Sequence, residues 1–396
     1  MDSVCLYFQV HQPNRLQPYD FFRIGENAFY EDDKLNGEVL RKVARKCYLP
    51  ATELLLRAIE ESKGKFKCSF SLSGVFLEQC EHHSPEVIEA FQRLVGTGNV
   101  EILGETYYHS LASSYSPDEF ARQVELHRLK VKELFGVEPR VFRNTELIYS
   151  NAVAAQVERA GFQGVLAEGI DEFLRGEETG QVFRPPGLKS VKVLLRNSEL
   201  SDDLGFRFSD KNWTGYPLRP ATFVRKIRGK KEGVATIFLD FETIGEHHWA
   251  DTGIFDFYDG FIKRACAVDL KFVTPSKIIE DSESCPIYDC YKDTSWADQE
   301  RDLSAWKGNV MQQEAFSKVA RLEQRILAIN DLDLLHSWGK LQTSDHFYYM
   351  ATKQGSDQEV HDYFSPYPSP YDAYIFFMNA VADLAIRVQR LEESRK

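Results

Sequence analysis

Ile237-Phe238-Leu239-Asp240-Phe241-Glu242-Thr243-Ile244-Gly245-Glu246-His247-His248-Trp249 begins as a strand and ends as a loop rich in acids and imidazoles. The run 234–239 is mostly apolar on both faces, as expected of a parallel strand buried between layers. Asp240 follows it at once. Three other apolar runs end the same way: 4–10 leads into His11, 100–103 into Glu105, and 140–142 into Glu146. Reactive side chains gathered at the carboxyl ends of several parallel strands are the signature of an α/β barrel with its site on one face. An open sheet would collect them from fewer strands, at one switch point.

Outward from these runs, further strands are expected at 66–72, 164–167, 191–195 and 271–273, with amphipathic helices between them. Ser116-Pro117-Asp118-Glu119 supplies an N-cap, a proline at N1 and a capping-box glutamate. Phe120, Val124, Val131 and Leu134 then form the apolar stripe, and Gly136 the stop. Ser84-Pro85 opens a second helix that ends near Gly96 or Gly98, and 151–160 reads as a third, closed by Gly161. The β-α alternation ends near residue 281. Residues 286–291 read as a transition and 298–336 as helix, with Leu322, Ile326 and Ile329 on one face. Ser369-Pro370-Tyr371-Asp372 starts a last helix reaching Glu392, with Phe376, Val381, Leu384 and Val388 on its buried side. The expected organisation is a catalytic barrel over 1–281 and a helical domain over 282–396. The stretch 335–350, polar and aromatic, would form a wall of the barrel mouth.

Composition narrows the partners. The 396-residue chain has a net charge of -12, which argues against nucleic acid, whose phosphates need Lys and Arg. Aromatic residues make up 13% of it, enough for a Phe-rich core and for flat faces on which pyranose rings can pack. The 7 cysteines are scattered, without C-x-x-C, so neither a disulfide framework nor a zinc knuckle is expected. No signal-peptide pattern and no membrane-length apolar run is present. A reducing cytoplasm, no membrane partner, no cofactor and no bound metal are the corresponding expectations.

Two carboxyls at different strand ends carry the chemistry. Arg143 and Asn144 lie beside Glu146 and are expected to hydrogen-bond its ionised form, keeping it nucleophilic. The apolar residues Ile237, Phe238 and Leu239 ahead of Asp240 place that acid where burial is expected to raise its pKa, as a general acid requires. Facing each other across a cleft, such a pair is the minimum equipment for glycoside hydrolysis. His11-Gln12-Pro13 and the cluster Glu105, Tyr107, Tyr108 and His109 would add hydroxyl-binding groups. Trp213 and Trp249 would offer stacking surfaces.

Taken in order, His11-Gln12-Pro13, Gly104-Glu105, Arg143-Asn144-Thr145-Glu146-Leu147, Asp240-Phe241-Glu242-Thr243-Ile244-Gly245-Glu246-His247 and the stretch 338–349 resemble glycoside hydrolase family 57. The resemblance implies a (β/α)7 distorted TIM-type barrel, followed by an α-helical region, and a retaining mechanism on α-glucans such as starch, glycogen or maltooligosaccharides. It assigns Glu146 as nucleophile, Asp240 as general acid/base, and His11, Glu105, Trp338 and Asp345 as subsite residues. The segments around both acids are most similar to the family's α-amylase group. Three alternatives stay open. A 4-α-glucanotransferase or branching enzyme would use the same acids. A metal-dependent deacetylase would need ligand pairs at helical spacing, which are missing, and adjacent His247 and His248 should point apart. A catalytically inactive glucan-binding protein would be indifferent to loss of Glu146. Oligomeric state is not encoded in any of these features.

Overall fold

The computed structural model describes residues 1–230 and 233–395. Among them are seven parallel strands: β1 Ser3–Val10, β2 Cys68–Leu72, β3 Val100–Ile102, β4 Val141–Arg143, β5 Gly164–Glu168, β6 Lys192–Arg196 and β7 Val234–Asp240. They pair as two parallel groups, β3-β2-β1-β7 and β4-β5-β6. Two seams join the groups. The Gly104 N–H donates to Val141 O at 2.9 Å and Arg143 N–H to Gly104 O at 2.8 Å, while Asn197 N–H donates to Thr236 O at 2.9 Å. The result is a distorted (β/α)7 barrel. Two short strands flank it: Lys271–Phe272, parallel to the start of β1, and Val182–Phe183, antiparallel to β6. The second was not expected, because two residues carry no readable alternation.

The period of two along each strand separates interior from exterior. Along β1, Cys5 and Tyr7 belong to an interior cluster with Leu166, Leu194 and Phe238, whereas Val4, Leu6, Phe8 and Val10 pack outward on the helices. On β7, Phe238 lies inside and Ile237 and Leu239 outside. Asp240 therefore shares the inward parity. It terminates the barrel lumen at its carboxyl end.

Helix Pro117–Phe135 starts and stops as its sequence predicts. Ser116 accepts from Glu119 N–H, and Gly136 sits in the left-handed region at φ 68°. Helices Pro85–Gly96 and Asn151–Arg159 also match. Residues 298–336 do not form one helix. They break into Ser304–Lys307, Val310–Ala320, Glu323–Ile329 and Leu332–Leu341. An Asn309–Gln312 capping box restarts the chain at Val310, and Asn330, at φ 51°, stops it before Asp331 caps the next helix. In the last helix, Pro370–Ser394, Phe377 is buried where Phe376 was expected, and Phe376 packs half-buried on Tyr367.

The helices after residue 303 share a core with loops of the barrel mouth, including Leu16, Tyr19, Tyr30, Leu111 and Ile148. Asp383 ties them further, accepting from Tyr30 Oη–H and Gly25 N–H, both at 2.6 Å. The stretch between belongs to the barrel side: Tyr288 and Cys290 pack with Phe142, Phe173 and Phe183. All seven cysteines are free, and among the described residues no helix is long and apolar enough to cross a membrane.

Phe70 on β2 is fully buried and packs against Phe8, Phe91 and Phe241. Truncating it leaves a cavity in the layer between strands and helices. Phe70→Ala is expected to lower the unfolding free energy by about 3–5 kcal/mol in urea titrations.

Candidate active site

Glu146 lies in a short turn, Thr145–Leu147, directly after β4, with φ 55°, and Leu147 follows at φ 51°. This left-handed backbone is unfavourable for residues with a Cβ and recurs at functional sites. Asn144 stabilises the turn rather than the acid, donating from Nδ2 to Ile148 O at 3.0 Å and to Ser113 Oγ at 2.9 Å. Arg143 does not hydrogen-bond Glu146 either. Its guanidinium is buried, meets no acceptor among the described residues, and lies 5.0 Å from the Trp296 ring centroid. The expectation that these two neighbours hold the carboxylate by hydrogen bonds is corrected.

The donors come from elsewhere. His109 Nε2 lies 3.0 Å from Glu146 Oε1, and its Nδ1 lies 3.1 Å from Glu105 Oε2. The Trp296 indole N–H donates to Glu146 Oε2 at 2.8 Å. Burial works against the His109 charge, yet hydrogen bonds and attraction from Glu105 and Glu146 lift its pKa to about 9. It is an imidazolium at neutral pH, donating to both acids. Burial likewise pushes Glu146 up, but the His109 hydrogen bond and charge, the Arg143 charge and the Trp296 N–H together hold it below its ordinary value.

Asp240 is shifted the other way. Burial, and then the negative charge of Glu146, push its pKa up to about 6, against the opposing pull of Arg143, His109 and Arg196. The two carboxyls thus sense each other at the barrel mouth and are driven apart in acidity. Glu242, two residues on, is buried beneath the mouth and accepts from the Tyr48 hydroxyl. Burial and the Asp240 charge raise it to about 8. Gly245 permits the turn that follows: its φ is 111°, and a Cβ there would stand 2.1 Å from Lys46 O.

His11 stacks on His109 with ring centroids 3.9 Å apart. Its pKa is lowered by burial and then by the neighbouring His109 charge, against the opposing pull of Asp345. Its Nε2 lies 3.1 Å from Asp345 Oδ2 and its Nδ1 2.6 Å from Ser73 Oγ. Burial would raise Asp345, but attraction and the hydrogen bond from His11 hold it well below the carboxylate range. His11, Glu105, Glu146, Asp240 and Asp345 are thus brought together in one network.

The three tryptophans named from sequence are not. Trp338 is fully buried and donates its N–H to Val319 O at 2.9 Å. With Leu334, Leu335 and Leu341 it forms the apolar stripe of its helix, so its assignment as a cleft residue is corrected. Trp213 is half-buried against the outer core, folded over Gly215 beside Arg207, which anchors its loop. Trp249 is 59% exposed on the loop after β7, 5.1 Å from Lys46 Nζ. Trp296 was missed because it lies in irregular chain, 150 positions from the acid it binds.

Metal-ligand geometry among the described residues is confined to Asp33, His82 and His83, on helices Asp33–Val43 and Gly74–His83 outside the barrel. His247 and His248 point apart as expected: His247 packs on Phe364, while His248 Nε2 lies 2.9 Å from Leu204 O.

The sequence profile described as Glycosyl hydrolase family 57 matches residues 5–289. This chain belongs to glycoside hydrolase family 57. It is 40% identical to a putative α-amylase of Methanocaldococcus jannaschii, over 98% of this chain and 85% of that one. It is 24% identical to an α-amylase of Pyrococcus abyssi over 52% of this chain, spanning only 30% of that protein's length. Among solved structures, a family 57 branching enzyme from Pyrococcus horikoshii aligns with a TM-score of 0.69 at 13% identity, covering 91% of this chain and 87% of that one. A 4-α-glucanotransferase from Thermococcus litoralis aligns with a TM-score of 0.64 at 15% identity, covering 88% of this chain and 56% of that one. Both share the fold of this family 57 member, an amylase-like glycoside hydrolase.

An acid raised above its ordinary pKa by folding costs stability when ionised. For Asp240 that cost is present above about pH 6 and disappears below the ordinary carboxylate range. Asp240→Asn is expected to stabilise this family 57 enzyme by about 2 kcal/mol at pH 8, shrinking toward zero near pH 4. Urea unfolding at a series of pH values measures this; a destabilised variant at pH 8 would contradict the raised pKa of Asp240.

Proposed function

We propose that the protein is an α-amylase-like hydrolase of α-1,4-glucans, retaining configuration through a covalent glycosyl-enzyme on Glu146, with Asp240 as general acid and base. The observation that carries this reading is the opposite displacement of two coupled carboxyls: Glu146 held ionised, Asp240 raised to about 6. The Glu146 charge is the second largest influence on Asp240. Retention further requires the two carboxyls to stand about 5–5.5 Å apart, rather than at the wider gap that admits a water in inverting enzymes.

In the first step Asp240 gives its proton to the glycosidic oxygen as that bond to C1 breaks, and a Glu146 carboxylate oxygen bonds to C1 from the opposite face. His109 and Trp296 each occupy one side of that carboxylate and fix its plane. In the second step the Asp240 carboxylate takes a proton from water as the water oxygen bonds to C1 and Glu146 leaves. Asp345, held ionised and partly open to the cleft, is placed to accept a hydrogen bond from a sugar hydroxyl. A neutral, hydroxyl-rich ligand suits a chain of net charge -12. The solved relatives named as transferase and branching enzyme suggest a second outcome from the same intermediate, in which a sugar hydroxyl replaces water.

Maltoheptaose incubated with wild type, Glu146→Gln and Asp240→Asn tests the proposal, with products separated by size. Wild type is expected to release shorter saccharides; additional longer ones would identify transfer. Glu146→Gln is expected to lose at least about 10³-fold in kcat. A wild type inert on every α-glucan, or a Glu146→Gln variant of undiminished rate, overturns the reading. The profile of kcat/KM should be bell-shaped, rising as Glu146 ionises and falling as pH passes about 6, where free Asp240 loses its proton. In Asp240→Asn the falling limb should vanish.

A further inference from the structure

Trp296 holds Glu146 at both ends. Its indole N–H meets the carboxylate at 2.8 Å, and its backbone N–H donates to Glu146 O at 3.2 Å. The second contact falls on the residue whose backbone is left-handed. Two positions earlier, Thr294 and Tyr149 exchange backbone hydrogen bonds, Tyr149 N–H to Thr294 O at 3.0 Å and Thr294 N–H to Tyr149 O at 2.9 Å. Residues 294–296 therefore run antiparallel along the turn that carries Glu146. The indole itself is flanked by two buried guanidinium groups, Arg143 at 5.0 Å and Arg196 at 5.7 Å from its centroid, an arrangement strengthened by desolvation. Arg301, from the same stretch of chain, pairs with buried Glu168 at 3.0 Å, and its carbonyl accepts from Ser295 N–H at 3.0 Å. Apart from the Ser295–Arg301 bond, each of these contacts joins the stretch after the barrel to a strand end or turn of the barrel.

We propose that Trp296 is a positioning residue for the nucleophile and that residues 294–296 act as a clamp. The clamp fixes the strained turn and the carboxylate plane of Glu146 from outside the barrel. This rests on Glu146 being the nucleophile. The active site is then complete only when the stretch after the barrel is seated. Its contribution is to orientation, not to sugar binding, because the indole N–H is spent on Glu146 and the ring faces are covered by arginines.

Trp296→Phe keeps a ring between the guanidinium groups and removes the N–H. Losing one of two donors to an ionised carboxylate should raise the Glu146 pKa by about one unit. Carbon-13 NMR of carboxyl-labelled glutamate reads this directly, the Glu146 signal being assigned by its absence in Glu146→Gln. On maltoheptaose, kcat should fall about 10- to 100-fold with KM changed less than about threefold, and the acid limb should move up with the NMR value. An unchanged Glu146 titration together with unchanged kcat overturns the proposal. Should Trp296→Phe fail to fold, the 5 tryptophans provide a second reading in nitrogen-15 spectra. One indole N–H signal must titrate with Glu146 and shift in Glu146→Gln; if none does, the clamp is refuted. The NMR titrations need no turnover, so an inactive wild type would defeat the assigned hydrolysis while leaving this test intact.

Discussion

Charges of both signs share the poorly hydrated top of the barrel, and their mutual balance is the condition on which the site depends. Glu105, Glu146 and Asp240 face His109, Arg143 and Arg196 there. Removing an ion from water is costly unless an opposite charge or hydrogen bonds replace the lost solvent. Among the described residues Arg143 meets no acceptor, so its charge is not consumed by any one carboxylate and acts on the whole group. What separates the two catalytic candidates is then hydrogen bonding. Glu146 has two donors, whereas only burial and neighbouring charges act on Asp240. One fold thereby sets the two apart, so that below about pH 6 Asp240 keeps its proton while Glu146 is held below its ordinary value.

The same balance explains where backbone strain is tolerated. His109, Glu146 and Leu147 all have positive φ between 50° and 55°. His109 and Glu146 are joined by a charge-assisted hydrogen bond, the stronger kind. A conformation that would relax in an isolated loop is retained because relaxing it would break the His109–Glu146 ion pair, in which His109 is buried. Strain and charge pairing are thus two aspects of one rigid arrangement.

Much of this was legible in sequence because it depends on local pattern. Apolar runs revealed the strands, and strict alternation along 234–240 determines that Asp240 faces inward once Phe238 does. Glu105 and Glu146 were visible as acids just past strand ends. The roles of Arg143 and Asn144 were misjudged because adjacency in sequence does not give direction: at a strand end the neighbouring side chain points elsewhere. Trp338 shows the converse error. Its polar surroundings suggested a cleft, but its spacing from Leu334, Leu335 and Leu341 is that of a buried helix stripe, and the stripe decides. The breaks at Gly308-Asn309 and Asn330-Asp331 carried ordinary stop and cap residues that a long apolar periodicity obscured. Trp296 had no local signal at all, since its meaning arises from a contact across 150 positions.

The acids do not by themselves determine what accepts the sugar. Both steps of the proposed reaction use the same two carboxyls, Asp240 first giving and then taking a proton and Glu146 first attacking and then leaving, and a sugar hydroxyl can replace water at C1 by the reverse of the first step. Selection between them must come from how firmly an acceptor chain is held beside that carbon, which is a property of the cleft walls. Those walls are not built by the barrel alone. Asp345 comes from the helical region and reaches His11 at the end of β1, while that region is tied to loop 15–31 through Asp383. For the proposed reaction, the seating of the helical region and its neighbouring loops is therefore the feature on which the balance between hydrolysis and transfer would turn.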